Sequence, residues 1–312
     1  MTSDLTPSPG DGAPARIGTR ELVDDFLGGL DPNTLRSYAA SLAVVAEWMG
    51  VATAADVARR LIEGGQGGAN LLMLRFRNHL SKDRGLKSNS IATRLNAVRG
   101  LLKVARLAGL IDWRLEVRVR TRTYRDTSGP GADGYRAILA GVTAGDGPAE
   151  RRDGAILRLL FDLGLRRFEV AGLDVVHVNW ARRTLMVLRK KREDREPMTL
   201  PEPTIAALAA WVEVRPPGTG ALFVGLSRAN AGGRLDEGSI YRIIRHRAAA
   251  VGIETSPHRL RHAAITEALN VTNGDVRSVQ KFSGHANPAT VLIYDDNRRD
   301  AQGDIAKRIA QG

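Results

Sequence analysis

Apolar residues recur at helical spacing along most of the chain. Asp31 and Pro32 read as a helix start, and Leu35, Tyr38, Leu42, Val45 and Met49 follow on one face. A second helix is predicted over Ala54 to Glu63, ended by the run Gly64-Gly65-Gln66-Gly67-Gly68, and a third from about Leu71 to Leu80. A fourth follows Ser88, with Ile91, Leu95, Val98, Leu102 and Ala105 as its stripe. Together these predict a small all-helical unit. The pattern then breaks: arginines alternate at 118, 120 and 122 and a Gly/Pro cluster follows, which reads as an extended linker. Beyond it, Tyr135 to Val142 reads as a short helix, and Ala155 to Leu163 is apolar nearly all round, as in a buried helix. Leu173 to Val178 and Thr184 to Arg189 are strand-like, a charged turn follows from Lys190 to Arg195, and Thr199-Leu200 begins a third strand. Helix resumes after Pro203, with Ile205, Leu208 and Trp211 inward, and again over Ser239 to Ala250. The fold class predicted is mainly α with a small antiparallel β-sheet.

A chain of 312 residues is long for one core, so two domains are expected. The boundaries read as a disordered tail over 1–18, a helical domain over 19–112, a linker over 113–133 and a second domain over 134–312. The formal net charge of +12 and pI near 10.6 point to a polyanionic partner, most often nucleic acid. The basic loop carrying Lys82, Arg84 and Lys87 stands just before a helix start, which suits phosphate contact, and a strap bearing Arg118, Arg120 and Arg122 could follow a DNA backbone. Both segments also read as solvated surface. With no cysteine there is no disulfide, thiol nucleophile or cysteine-based zinc site. No apolar run approaches the ~18–20 residues that span a bilayer, and the first residues lack a signal-peptide pattern, so a cytoplasmic protein is expected.

The chemistry concentrates between Ser256 and Tyr294. Ser256-Pro257 is a helix start, which puts His258 and Arg261 on one face near the positive helix end. A helix from about Gly274 to Ser283 carries Val276, Val279 and Phe282; Gly284 fits the left-handed residue after it, and His285 follows. Asn287-Pro288 suggests a third start, with Tyr294 inside that helix. Two histidines, an arginine and a phenol from successive helix ends could grip a phosphate and attack it.

These residues, with Gly164-Leu165-Arg166 and Glu169 upstream, resemble the tyrosine recombinases, site-specific DNA recombinases of the phage integrase type. The family pattern is an arginine in G-L-R-x-x-E, a lysine in a β-hairpin turn, H-x-x-R-H, L-G-H, and a tyrosine nine residues later; Arg166, Lys190, His258, Arg261, His285 and Tyr294 fill it in order. Thr34 to Tyr38 looks like the family's helical core-binding domain, so the resemblance covers nearly all the chain after the tail. It implies that Arg166 and Arg261 clamp a phosphodiester, Tyr294 attacks it, His258 takes the phenol proton, His285 supports the pentacoordinate state and Lys190 protonates the leaving 5′ oxygen. Lys191, adjacent to Lys190, is the other general-acid candidate. Glu169 is expected as a buried structural partner, and His262 as a hydrogen-bonding neighbour of Arg261. The sequence departs from the pattern twice: Ser283 replaces the apolar residue before G-H, which would loosen that corner, and Arg189-Lys190-Lys191 replaces G-K-G.

The resemblance further implies a two-domain clamp on double-stranded DNA recombination sites, a homotetramer on DNA, possible accessory DNA-bending proteins, and a 3′-phosphotyrosyl intermediate that needs no metal or cofactor. The C-terminal tail with Ile305, Lys307, Arg308 and Ile309 could dock on a neighbouring subunit. Two other readings stand beside recombination: a topoisomerase IB-like nicking-closing enzyme, and a DNA-binding protein without catalysis.

Overall fold

The computed structural model describes residues 17–120, 129–189, 194–218, 220–296 and 301–311. It divides into two compact units, 1–125 and 126–312.

Among the described residues the first unit is five helices: α1 (Thr19–Gly28), α2 (Pro32–Met49), α3 (Ala54–Glu63), α4 (Gly65–Lys82) and α5 (Ser88–Leu107). Local cap chemistry sets two of the starts. The Asp31 carboxylate accepts from the backbone N–H groups of Asn33 (3.2 Å) and Thr34 (3.1 Å), and Thr53 and Asp56 form a reciprocal capping box on α3. The core lies between the facing stripes, with Leu42, Val45, Met73, Phe76, Leu95 and Leu101 fully buried. The glycine run does not keep the chain out of helix, as the sequence suggested. Helix α4 starts inside it at Gly65 and runs through Gly67 and Gly68, because Ala69 and Met73 face the core. Burying such groups offsets the ~1 kcal/mol that each helical glycine costs.

The segment read as linker begins packed on this unit. Leu115 and Val117 are buried in its core while Arg118 and Arg120 are exposed. Arg99 donates to the Val117 carbonyl, Arg77 to the Arg118 carbonyl (3.3 Å), and the Glu116 N–H to the Asn70 side chain (2.8 Å). The alternation is that of an extended chain with one face on a core.

The second unit opens with α6 (Gly131–Thr143), α7 (Pro148–Phe161) and α8 (Arg167–Ala171). A 3₁₀ turn at Val175–His177 leads into strands β1 (Val178–Asn179), β2 (Thr184–Leu188) and β3 (Arg195–Thr199). They form one antiparallel sheet in the order β1-β2-β3. Two strand expectations are corrected. Most of Leu173 to Val178 is bridge and turn, and the third strand ends at Thr199, where Thr184 pairs with it. Helices α9 (Glu202–Val214), α10 (Glu237–Ala249), α11 (Pro257–Val271), α12 (Val276–Ser283), α13 (Ala289–Asp296) and α14 (Ala301–Gln311) complete the unit. As expected, the apolar part of α7 is buried: Ala155, Ile156, Leu157, Leu159 and Leu160 are all fully buried. Trp211 on α9 is buried too and donates its indole N–H to the Leu222 carbonyl (2.8 Å). Among the described residues, no single helix is long and apolar enough to cross a membrane.

Candidate active site

The site gathers on the ends of α8, α11, α12 and α13. Gly164, just after α7, takes a left-handed conformation (φ 56°), and a Cβ there would stand 2.8 Å from the Phe282 ring. That turn aims Arg166 at the N-terminus of α8. The Glu169 carboxylate, buried one turn on, accepts from the Arg166 backbone N–H (2.8 Å) and guanidinium (3.0 Å). On α11, Ser256 caps the helix by accepting from the Arg259 N–H (3.3 Å), and Pro257 is its first residue. Arg261 is then 2% exposed and donates to the carbonyls of Gly164 and Ser283. It thereby joins the α7–α8 turn to the end of α12. A guanidinium has five donors, so donors remain for a ligand.

Helix α12 ends at Gly284 in the left-handed conformation (φ 62°), and His285 follows. His285 sits between Ser283, whose hydroxyl is 2.9 Å from Nδ1, and Arg261, whose Nη2 is 3.5 Å from Nε2. Ser283 is fully buried, its hydroxyl also 3.3 Å from the Gln280 carbonyl. It fastens the corner that the sequence suggested it would loosen. Asn287 accepts from the Ala289 N–H (2.9 Å) at the start of α13, which presents Tyr294 inward, 7% exposed. The phenol meets His262 Nε2 at 3.4 Å, and that same nitrogen stands 2.7 Å from Nε2 of the exposed His258.

Burial first, and then charge, shifts three groups of this cluster. Burial, then the Arg261, Arg166 and Arg189 guanidiniums, lower His285 to about 4, so its ring is neutral near pH 7. Burial and Arg166 lower Arg261 to about 9, where it stays a cation at neutral pH. Burial raises the Tyr294 phenol against the pull of Arg261 and Arg166. A protonated phenol therefore lies among cations and a neutral imidazole, an arrangement suited to receiving a phosphodiester.

The sequence matches the phage integrase family over residues 132–300. The chain belongs to this family of tyrosine recombinases. The recombinase is 38% identical over 287 residues to a tyrosine recombinase of Synechocystis sp., covering 89% of this chain and 91% of the relative. It is 34% identical over 238 residues to tyrosine recombinase XerD of Mycobacterium tuberculosis, covering 72% and 75%. Its fold is similar to a lambda integrase dimer bound to a COC′ core site (TM-score 0.64, 16% identity, 90% of this chain and 95% of that one). It is also similar to XerH recombinase bound to difH (TM-score 0.62, 15% identity, 93% and 97%).

In the recombinase, Arg166 pairs with Glu169, Arg261 with His285, and Tyr294 with His262, which pairs in turn with His258; Arg166 and Arg261 are close enough to act electrostatically on both His285 and Tyr294. Lys190, Lys191 and Arg122 lie outside the described residues. Lys82, Arg84 and Lys87 are exposed at and after the end of α4, and Arg118 and Arg120 are exposed on the same unit.

Two residues that the sequence showed only as departures from the family pattern take part in the site. Arg189, buried at the end of β2, donates to Glu169 (3.3 Å) and to the Phe282 carbonyl (3.0 Å). It lies under Gly284, where a Cβ would stand 3.1 Å from its Nε. Ser283 orients His285. The available signal was their departure from the family pattern at those two positions.

Proposed function

We propose that this recombinase cleaves and rejoins duplex DNA at specific sites through a 3′-phosphotyrosyl link to Tyr294. The observation that carries the reading is the convergence of Arg166, Arg261, His285 and Tyr294 on one cluster, with the phenol buried beside imidazole nitrogen. A phosphodiester resists nucleophiles because of its charge. Arg166 and Arg261 neutralise its non-bridging oxygens and the charge that grows in the transition state. Neutral His285, held by Ser283, borders the same oxygens. Tyr294 attacks phosphorus, and Lys190 protonates the leaving 5′ oxygen. The covalent link conserves the energy of the broken bond, so rejoining needs no ATP. Exposed Lys82, Arg84, Lys87, Arg118 and Arg120 contact backbone phosphates. Two sites are brought together by a tetramer, consistent with relatives seen bound to DNA as dimers or on recombination sites.

The test is a nicked suicide duplex bearing the sequence that the Tyr294→Phe protein enriches from a randomised duplex pool. Wild type is expected to leave a covalent protein–DNA band on a denaturing gel and Tyr294→Phe none. A band that survives in Tyr294→Phe refutes the assignment of the nucleophile. Binding without a band in either protein refutes the cleavage reading.

A further inference from the structure

A buried phenol that carries its proton needs an acceptor before it can attack. His285 is badly placed for this: its Nδ1 is engaged by Ser283, its Nε2 faces Arg261, and its ring lies 6.0 Å from the Tyr294 ring. Arginines cannot accept. The Tyr294 hydroxyl instead faces His262 Nε2 at 3.4 Å, with ring centroids 4.7 Å apart, and His262 is as buried as the tyrosine. His258 and His262 stand one turn apart on α11, so they share a face. Their Nε2 atoms are 2.7 Å apart. A ring nitrogen of neutral imidazole carries a proton or a lone pair, never both. The contact is therefore N–H···N, and it competes with the phenol for His262 Nε2. The phenol's longer 3.4 Å contact is what such competition produces.

We propose that His262 takes the Tyr294 proton, and that His258 keeps His262 Nε2 engaged until a phosphate draws His258 away. The inference rests on the phosphotyrosyl reading above and assigns its base. His258, on the exposed first turn of α11, turns its Nε2–H to a non-bridging phosphate oxygen. His262, protonated on Nδ1, then offers its Nε2 lone pair to the hydroxyl. As Tyr294 Oη bonds to phosphorus, the O–H bond breaks and its proton passes to His262 Nε2, which becomes an imidazolium. The bond from phosphorus to the 5′ oxygen breaks, and that oxygen takes a proton from a separate donor, the proposed Lys190. On rejoining, the imidazolium returns its proton to the departing phenolate. The nucleophile is activated only where a phosphate is bound.

The experiment uses the suicide duplex with either an ordinary scissile phosphodiester or a 5′-bridging phosphorothiolate, whose sulfur departs without a proton. Loss of a general base costs about 10²–10⁴-fold. His262→Ala is expected to slow adduct formation by that factor on both substrates, with partial recovery on adding imidazole. Lys190→Ala is expected to recover on the phosphorothiolate alone. His262→Phe fills the ring volume without a nitrogen; it is expected to bind the duplex like wild type and stay slow. Adduct formation by His262→Phe at the wild-type rate overturns the inference, as does full recovery of His262→Ala on the phosphorothiolate. Either result leaves the recombinase reading standing, because that reading is judged by wild type against Tyr294→Phe on the same substrate.

Discussion

Glu169 holds two cations in a place that water hardly reaches, and Glu169→Gln removes their counter-charge without changing shape. The Glu169 side chain is 0% exposed and its carboxylate accepts from the Arg166 N–H, the Arg166 guanidinium and the Arg189 guanidinium at 2.8, 3.0 and 3.3 Å. Glutamine keeps one acceptor but turns an NH₂ donor toward a guanidinium that can only donate. Breaking a buried ion pair from one side costs about 3–5 kcal/mol. The Arg166 side chain retains 21% exposure, which softens its share, whereas Arg189 at 5% has little relief. We expect about 3 kcal/mol. For a unit of this size, 126–312, that lowers the melting transition by about 6–12 °C. Scanning calorimetry on the full chain reads it. Adding Arg189→Met removes the stranded cation, and replacing both partners of a buried pair is close to neutral, so the double variant should recover most of the loss. A loss below about 1 kcal/mol in the single variant, or no recovery in the double, would sink the reasoning.

Three further outcomes are expected. Ser283→Ala removes the hydrogen bond that orients His285, worth about 0.5–1.5 kcal/mol, and should slow adduct formation by up to about tenfold with duplex binding unchanged; a wild-type rate would show that His285 orients without it. His285 is lowered to about 4 in the folded chain from an ordinary 6.5, so between those values the unfolded chain holds the extra proton and stability falls as pH drops. His285 is partly exposed, so screening keeps the slope below the ~1.4 kcal/mol per pH unit of one full proton; urea titrations of wild type and His285→Gln should differ in slope from pH 6.5 down to 4, and parallel curves would refute the shift. Arg118→Ala and Arg120→Ala, each removing one phosphate contact, should lower the salt dependence of duplex binding by about 0.9 each in the log–log slope, and an unchanged slope would place the DNA elsewhere.

What the sequence made legible was local. Ser256-Pro257, Gly284 and Asn287-Pro288 each act within a few residues of themselves, so the starts of α11 and α13 and the stop of α12 followed from cap chemistry, whereas the Asp275 cap that starts α12 at Val276 did not. The stripe of α5 and the all-apolar α7 followed from periodicity. The misses are non-local. Glycines at 65, 67 and 68 signal a break, and only the packing of Ala69 and Met73 shows why helix persists there. The end of β3 depends on pairing Thr184 with Thr199, across a turn that no local pattern measures. Leu115 and Val117 alternate with charge in a way that a core can use, but the core that takes them is built by earlier helices, and the segment's backbone is held by Asn70, Arg77 and Arg99. Within the site, the ordered motif named residues that the structure brings close together, while the line of contact from Tyr294 through His262 to His258 needed coordinates. The four-residue interval between His258 and His262 was the visible sign of it. Arg189 showed in the sequence only as a misfit at a glycine position.

That misfit and Ser283 sit at the same corner. Where the family pattern has glycine and an apolar residue, this chain has a guanidinium that binds the Phe282 carbonyl beneath Gly284, and a hydroxyl that binds the next ring. The corner is held by a polar latch made of two parts from distant points in the chain. A chimera that takes only its hairpin from a relative with glycine there would leave the Phe282 carbonyl without its guanidinium, and one that takes only its C-terminal helices from a relative without the serine would leave His285 without its hydroxyl partner. For this enzyme the boundary that matters in recombining sequences runs through that corner.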